Sequence, residues 1–305
     1  MTPTLVRQHA LHADSAPRVD LCARARDWSE IQERMLVPLY EAVYERLEVG
    51  PATRLLGLRC GSGLALLLAA GRAATVTGVD TSSPERLALA RERLLPQAPR
   101  DGNGDMAVHG GSSRPRARTQ ARLVDGPPRD AAGAQTATYG LVTVFEPIGC
   151  LAGDSEGLGE LLAEALPLAA PGAAVVLTGW GPPERCATSS VLRVATKLAD
   201  PLRSARSWRP ARRDDLEEVA QRAGLKPDGS GRVACPFGYA DVDSAVRGLL
   251  STGLFDAAIA ATDAKQVDKE LTEALHPHRR PDGTVWMPNV FRYLVARVPQ
   301  DARVP

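Results

Sequence analysis

The chain has 305 residues, room for one large domain or for a domain with a cap, since domains run to about 100–200 residues. Its 37 Lys and Arg against 36 Asp and Glu leave a net charge of +1, which offers no electrostatic footprint for nucleic acid or an anionic membrane, so a small molecule is the expected partner. The five cysteines (Cys22, Cys60, Cys150, Cys186, Cys235) are scattered, with no CxxC pair and no His-rich cluster, which argues against a disulfide framework and a zinc knuckle. The first residues lack the basic segment and apolar run of a secretory signal, and no stretch nears the roughly 18 apolar residues of a membrane span, so a cytoplasmic protein is expected.

Residues 1 to about 25 show no period. From Trp28 to Leu47, Ile31, Met35, Leu36, Leu39, Tyr40, Val43, Tyr44 and Leu47 recur at three-to-four spacing, which predicts an amphipathic helix stopped by Gly50-Pro51, and makes residues 1–50 an N-terminal helical lid. Arg54–Leu58 is a short apolar run ending in Cys60-Gly61-Ser62-Gly63, with a helix opening at Leu64. Thr75–Val79 reads as a second strand with Asp80 at its end, and Ser83-Pro84 as N-cap and first position of a helix to Leu95. Residues 96–121, rich in Gly, Pro, Ser and Arg, are expected to be a mobile surface loop. Strands are predicted at 121–125, 139–145 and 173–179, with a helix over about 156–169. The alternation implies a doubly wound, mostly parallel α/β sheet, with residues 51–181 as its core. Residues 182–211, with a helix near 189–198, are an expected cap insertion. Residues 212–305 complete the sheet through a helix at 214–223, a strand at 225–233 and a last strand at 290–298. One apolar helical stretch is predicted at 242–261, within further cap helices over 242–275.

A glycine turn between a first strand and a first helix lets backbone approach a nucleotide, and the helix start offers free N–H groups. An acid closing the second strand can accept ribose hydroxyls. Here Asp80 lies 17 positions beyond Gly63, less than the roughly 20 of a dinucleotide fingerprint, whose glycines are also incomplete.

Four segments in this order carry a resemblance: Arg54 through Gly63; Thr77 through Asp80 with Ser83-Pro84; Leu168 through Gly172 leading into 173–179; and the tail from Ala274 to Gly283 and Asn289 to Arg297. Together they resemble class I S-adenosylmethionine (SAM) methyltransferases, in particular small-molecule enzymes of bacterial secondary metabolism such as antibiotic biosynthesis. The resemblance implies a Rossmann-like seven-stranded sheet, SAM as cofactor and a small natural-product acceptor; a monomer or homodimer is expected. It sets Gly61 and Gly63 against the methionine part, Asp80 at the ribose, Asp125 at the adenine amino group, and Phe145 and Glu146 beside the methyl-transfer axis; Arg59, Cys60 and Thr81 are further expected cofactor-binding residues. Asp80 and Asp125 also read as turn or cap residues. The chain departs from the family pattern at Gly57 and Gly140, where an acid is usual, and at Arg59, where a glycine is usual. Arg59 either clamps a carboxylate or fills the pocket.

Glu146, His276 and His278 are the candidate general bases. The two histidines have no third ligand nearby in sequence, so no metal site is expected. Trp180, Phe237, Tyr239 and Trp286 line an apolar substrate cavity or pack the core. The expected activity is methyl transfer from SAM to an oxygen, nitrogen or carbon nucleophile. The alternatives are the same fold repurposed for a cyclisation or rearrangement, with SAM absent or structural, and a non-catalytic binding subunit.

Overall fold

The computed structural model describes residues 20–95, 121–132, 138–150, 155–199 and 214–300. The expected loop, apart from Ala121, and residues 200–211 of the expected cap insertion lie outside the described residues.

The N-terminal helical segment starts earlier than its apolar spacing suggests. Helix α1 (Leu21–Asp27) is capped by Asp20, whose Oδ1 accepts from the backbone N–H of Cys22 and Ala23 at 3.0 Å each. It runs through a π-helical turn (Trp28–Gln32) and a 3-10 turn (Glu33–Leu36) into α2 (Val37–Arg46). Pro38 has no N–H to donate back along the helix, so the tight turn falls just before it. The wide turn rotates Ser29, Gln32 and Glu33 into the interior, where all three are buried.

Strands β1 (Arg54–Leu58), β2 (Thr75–Val79), β3 (Ala121–Val124), β4 (Tyr139–Ile148) and β5 (Ala169–Trp180) alternate with helices α3 (Leu64–Gly71), α4 (Pro84–Leu94) and α5 (Leu158–Ala165). Ser83 caps α4 as its sequence predicts, its Oγ accepting from Arg86 N at 3.2 Å. After β5 come α6 (Thr188–Ala199), α7 (Asp215–Arg222), β6 (Lys226–Ala234), β7 (Phe237–Tyr239), α8 (Val242–Ser251), α9 (Asp256–Ala261), α10 (Ala264–Leu275), β8 (Val285–Met287) and β9 (Val290–Arg297). Seven strands form one sheet in the order β3-β2-β1-β4-β5-β9-β6, in which β9 runs antiparallel to both neighbours and the other pairs are parallel. This is the expected mostly parallel, doubly wound sheet.

Two details differ from the sequence expectation. The stretch 242–261 is two helices, α8 and α9, parted at Gly253 with φ +86°. Strands β7 and β8 pair in a small separate sheet. Three residues are too few to show an alternation, so nothing local announces them.

Both faces of the sheet are covered. Leu55, Val76, Leu141 and Val176 pack beneath α2, α6 and α8, while Leu56, Leu58, Val142 and Val144 pack against α5 and α7. Burial on both sides explains the unbroken apolar runs of the central strands. Because β1 lies between β2 and β4, the chain reverses its winding there, and a crevice opens past the carboxyl ends of these strands.

Candidate ligand-binding cleft

The turn leaving β1 shapes the crevice. Leu58 leads into Arg59, Gly61 and Gly63, all with positive φ (+49°, +55° and +78°). The first is costly for a side-chain-bearing residue, since a left-handed conformation disfavours a Cβ by about 1–2 kcal/mol. Gly57 is a different case: a Cβ there would lie 2.8 Å from Leu66 Cδ2 of α3, so a side chain at this position would have to displace the tip of Leu66. Gly140 opens β4 at the opposite end of the strand, with nothing within 4 Å of its would-be Cβ.

Asp80 closes the turn from the other side. Its Oδ2 accepts from Gly61 N at 2.7 Å, and its Oδ1 accepts from Ser82 N at 2.7 Å and Ser82 Oγ at 2.6 Å. The carboxylate is buried and faces a cavity of about 1160 Å³, counting its open mouth. At the far end the cavity is aromatic. Tyr40 meets Phe145 with ring centroids 4.7 Å apart, and Trp180 meets Phe291 at 4.6 Å, with Phe237 alongside.

A second open recess of about 980 Å³ lies beyond Arg59 and Glu146 and is lined by Asp80, Thr81, Gly126, Pro127 and Leu161 among others. Arg59 and Glu146 line both spaces, and Arg59 Nη1 donates to Glu146 Oε2 at 2.8 Å. Arg59 Nη2 also donates to the Glu156 carbonyl at 3.3 Å, so the guanidinium ties the end of β1 to the end of β4 and to the approach to α5.

The N-terminal segment forms the roof. Glu33 Oε2 accepts from Arg93 Nη1 at 2.8 Å and from Ser62 Oγ, and Arg93 Nη1 reaches the Ser62 carbonyl at 2.9 Å. Arg86 stands with its guanidinium carbon 4.3 Å from the Trp28 ring centroid, and its Nη2 donates to the Ser251 carbonyl at 2.6 Å. Burial lowers the pKa of Arg86 against the opposing pull of Asp80 and Glu146. Burial and then the nearby Asp80 charge push the Cys60 thiol up, and burial with Glu33 beside it does the same to the Tyr40 phenol.

Of the residues singled out by sequence, Arg59, Cys60, Gly61, Asp80, Phe145, Glu146, Trp180 and Phe237 gather around the main cavity, and Thr81 lines the second recess. The others lie elsewhere. Gly63 serves packing, a Cβ there falling 2.9 Å from Ala90 Cβ of α4. Asp125 turns to Arg91, 4.0 Å away. Tyr239 is buried behind the roof, its hydroxyl donating to Gln32 Oε1 at 2.9 Å. Trp286 is 39% exposed and packs under Arg280. His276 and His278 sit on a 3-10 turn after α10 and line neither space. Trp28, Glu33, Tyr40 and Arg86 were not singled out. One signal was present for Glu33: it stands three and seven residues before Leu36 and Tyr40, on the apolar face of the predicted helix, where a carboxylate needs a partner.

Among the described residues no group of three His, Cys, Asp or Glu is gathered as a metal would require, and no helix is long and apolar enough to cross a membrane.

No family model and no curated protein matches the chain. Solved structures do. A candidate methyltransferase of Bacillus halodurans superposes with a TM-score of 0.50 at 14% identity, covering 85% of this chain and 98% of its own. The YcgJ protein of Bacillus subtilis gives a TM-score of 0.50 at 13% identity, covering 85% and 97%. YJHP of E. coli gives 0.48 at 19% identity, covering 91% and 99%. At such identities the first two likenesses establish architecture alone: the chain has the Rossmann-like sheet found in a methyltransferase candidate.

Proposed function

We propose that the protein transfers a methyl group from SAM to an oxygen, nitrogen or carbon nucleophile of a small, largely apolar natural product. The observation that carries this reading is the hold of Asp80 on Gly61 N at 2.7 Å, at the head of a cavity that continues into an aromatic chamber. A polar nucleotide-type head and an apolar acceptor then lie end to end. The donor set suits such a cofactor. Gly61 presents no side chain to the cavity, the nearest neighbour of a Cβ there would be 3.6 Å away, and the buried Trp28 Nε1 has no partner among the described residues.

When bound, SAM supplies an electrophilic methyl group on a sulfonium that carries its own leaving group. The protein's part is placement: Asp80 and the turn hold the cofactor, and Tyr40, Phe145, Trp180 and Phe237 align the acceptor and keep water out. Of the three candidate bases, Glu146 lines the cavity, so proton removal from the acceptor is assigned to it once Arg59 lets it go. The family resemblance supports a place in bacterial secondary metabolism; a cytoplasmic location and action as a monomer or homodimer complete the proposal.

Calorimetric titration with SAM and with S-adenosylhomocysteine tests the reading. Saturable binding at one site is expected, and no heat at millimolar ligand would overturn it. A second reading, the fold repurposed for a cyclisation or rearrangement without SAM, is favoured by the Arg59–Glu146 pair, which crosses between the two spaces that an adenosyl ligand would join.

A further inference from the structure

Strand β1 carries no acid at Gly57, where a Cβ would meet Leu66 Cδ2 at 2.8 Å. Yet a carboxylate does stand at the turn after β1, brought from another element. Glu33, on the 3-10 turn of the roof, places Oε1 within 3.8 Å of the point where a side chain on Gly61 would begin. Its other oxygen is committed to Arg93 and Ser62, whereas Oε1 has, among the described residues, only the long 3.4 Å approach of Leu64 N. The Glu33 side chain is 4% exposed and lines the cavity.

Beside it stands a donor with no acceptor. Trp28 Nε1 is buried, makes no hydrogen bond to any described residue, and lies 3.6 Å from the same point next to Gly61. Leaving such a group unpaired costs about 1–3 kcal/mol, so the arrangement suits a ligand that brings an acceptor. The indole is not free to turn aside, because Arg86 covers one face and is itself anchored to the Ser251 carbonyl of α8.

An acceptor-only carboxylate oxygen and a donor-only indole N–H, converging on one side-chain-free glycine, match a ligand group that carries an ammonium and a carboxylate on neighbouring atoms. We propose that Glu33 and Trp28 together recognise the α-amino-acid end of the adenosyl ligand, Glu33 Oε1 accepting from its ammonium and Trp28 Nε1 donating to its carboxylate. The N-terminal segment thus supplies a charge that β1 lacks at Gly57, and ligand binding fastens the roof to the turn. Arg86 acts as a positioning residue for the indole. This inference rests on the methyl-transfer reading above.

The test compares two ligands that differ in that end alone. S-adenosylhomocysteine carries the amino-acid tail, and 5′-methylthioadenosine lacks it. Both are titrated by calorimetry into the wild type, Glu33→Gln and Trp28→Phe, with thermal unfolding of each variant recorded alongside. Each variant is expected to lose about ten-fold or more in affinity for S-adenosylhomocysteine, as for a hydrogen bond to a charged group. Affinity for 5′-methylthioadenosine should stay within two-fold. Trp28→Phe leaves the Glu33–Arg93–Ser62 network intact, so it decides the matter even if Glu33→Gln fails to fold. Equal losses for both ligands, or none, overturn this proposal and leave the methyl-transfer reading standing. Failure of both ligands to bind the wild type overturns both readings.

Discussion

Arg59 Nη1 and Glu146 Oε2 meet at 2.8 Å on the border between the two spaces of the cleft, joining residues 87 positions apart. The side chains are 28% and 53% exposed, so the pair is worth about 0–1 kcal/mol in water. It is a weak tie in a decisive place. A ligand that spans both spaces runs beside this pair and competes with it for Arg59 and Glu146.

Arg59→Gly is therefore expected to tighten binding of S-adenosylhomocysteine by up to about five-fold. Raising ionic strength should tighten binding to the wild type more than to the variant, because salt screens an exposed pair. Calorimetry at low and physiological salt reads both effects. Weaker binding by the variant would instead make Arg59 a clamp on the ligand carboxylate. The fold should tolerate the change, since glycine relieves the left-handed backbone at φ +49° while the pair is lost.

Asp80→Ala removes the acceptor for Gly61 N and Ser82 N in a buried setting. The expected outcome is a loss of about 1–3 kcal/mol in stability together with loss of S-adenosylhomocysteine binding. Urea midpoints and titrations on the same preparation separate the two. Binding that survives in a folded variant would take Asp80 out of the ligand site and leave it as a turn residue.

Gly63→Ala should be destabilising by about 1–3 kcal/mol, because the new Cβ meets Ala90 Cβ at 2.9 Å in a backbone with φ +78°. Gly140→Ala, with open space around it, is the control and should stay within about 0.5 kcal/mol of the wild type. Denaturant unfolding of the two variants checks the contrast. A neutral Gly63→Ala would mean that α4 yields more easily than its packing indicates.

His278 contributes a pH dependence whose sign is set by burial. Burial lowers its pKa in the folded protein below the ordinary 6.5, so protonation is easier in the unfolded chain. Its contribution to stability is therefore complete above about 6.5 and declines as pH falls through that value. His278→Gln should show a smaller drop in urea midpoint between pH 7.5 and 5.5 than the wild type. An equal drop in both would assign the acid sensitivity to other groups.

The sequence by itself determined the alternation of strands and helices, the glycine turn, the Ser83 cap and the acid after β2. Each of these is a local matter of periodicity, backbone sterics or a side chain reaching a neighbour two or three residues away. Even the absence of an acid at Gly57 and the presence of Arg59 were plain, although their meaning was not. The tertiary structure alone decided which polar groups face the cleft. Asp125 carries the same strand-end signature as Asp80, yet it turns to Arg91 while Asp80 holds Gly61. Trp286 and Trp180 are equally aromatic, and only Trp180 lines the cavity. Glu33 becomes a site residue because the wide turn at Trp28–Gln32 swings it over Ser62, 29 positions away. A side chain's partner depends on how whole elements stack and on the phase of the helix that carries it. One extra residue in a helical turn is enough to change that phase, and no local pattern in the sequence records it.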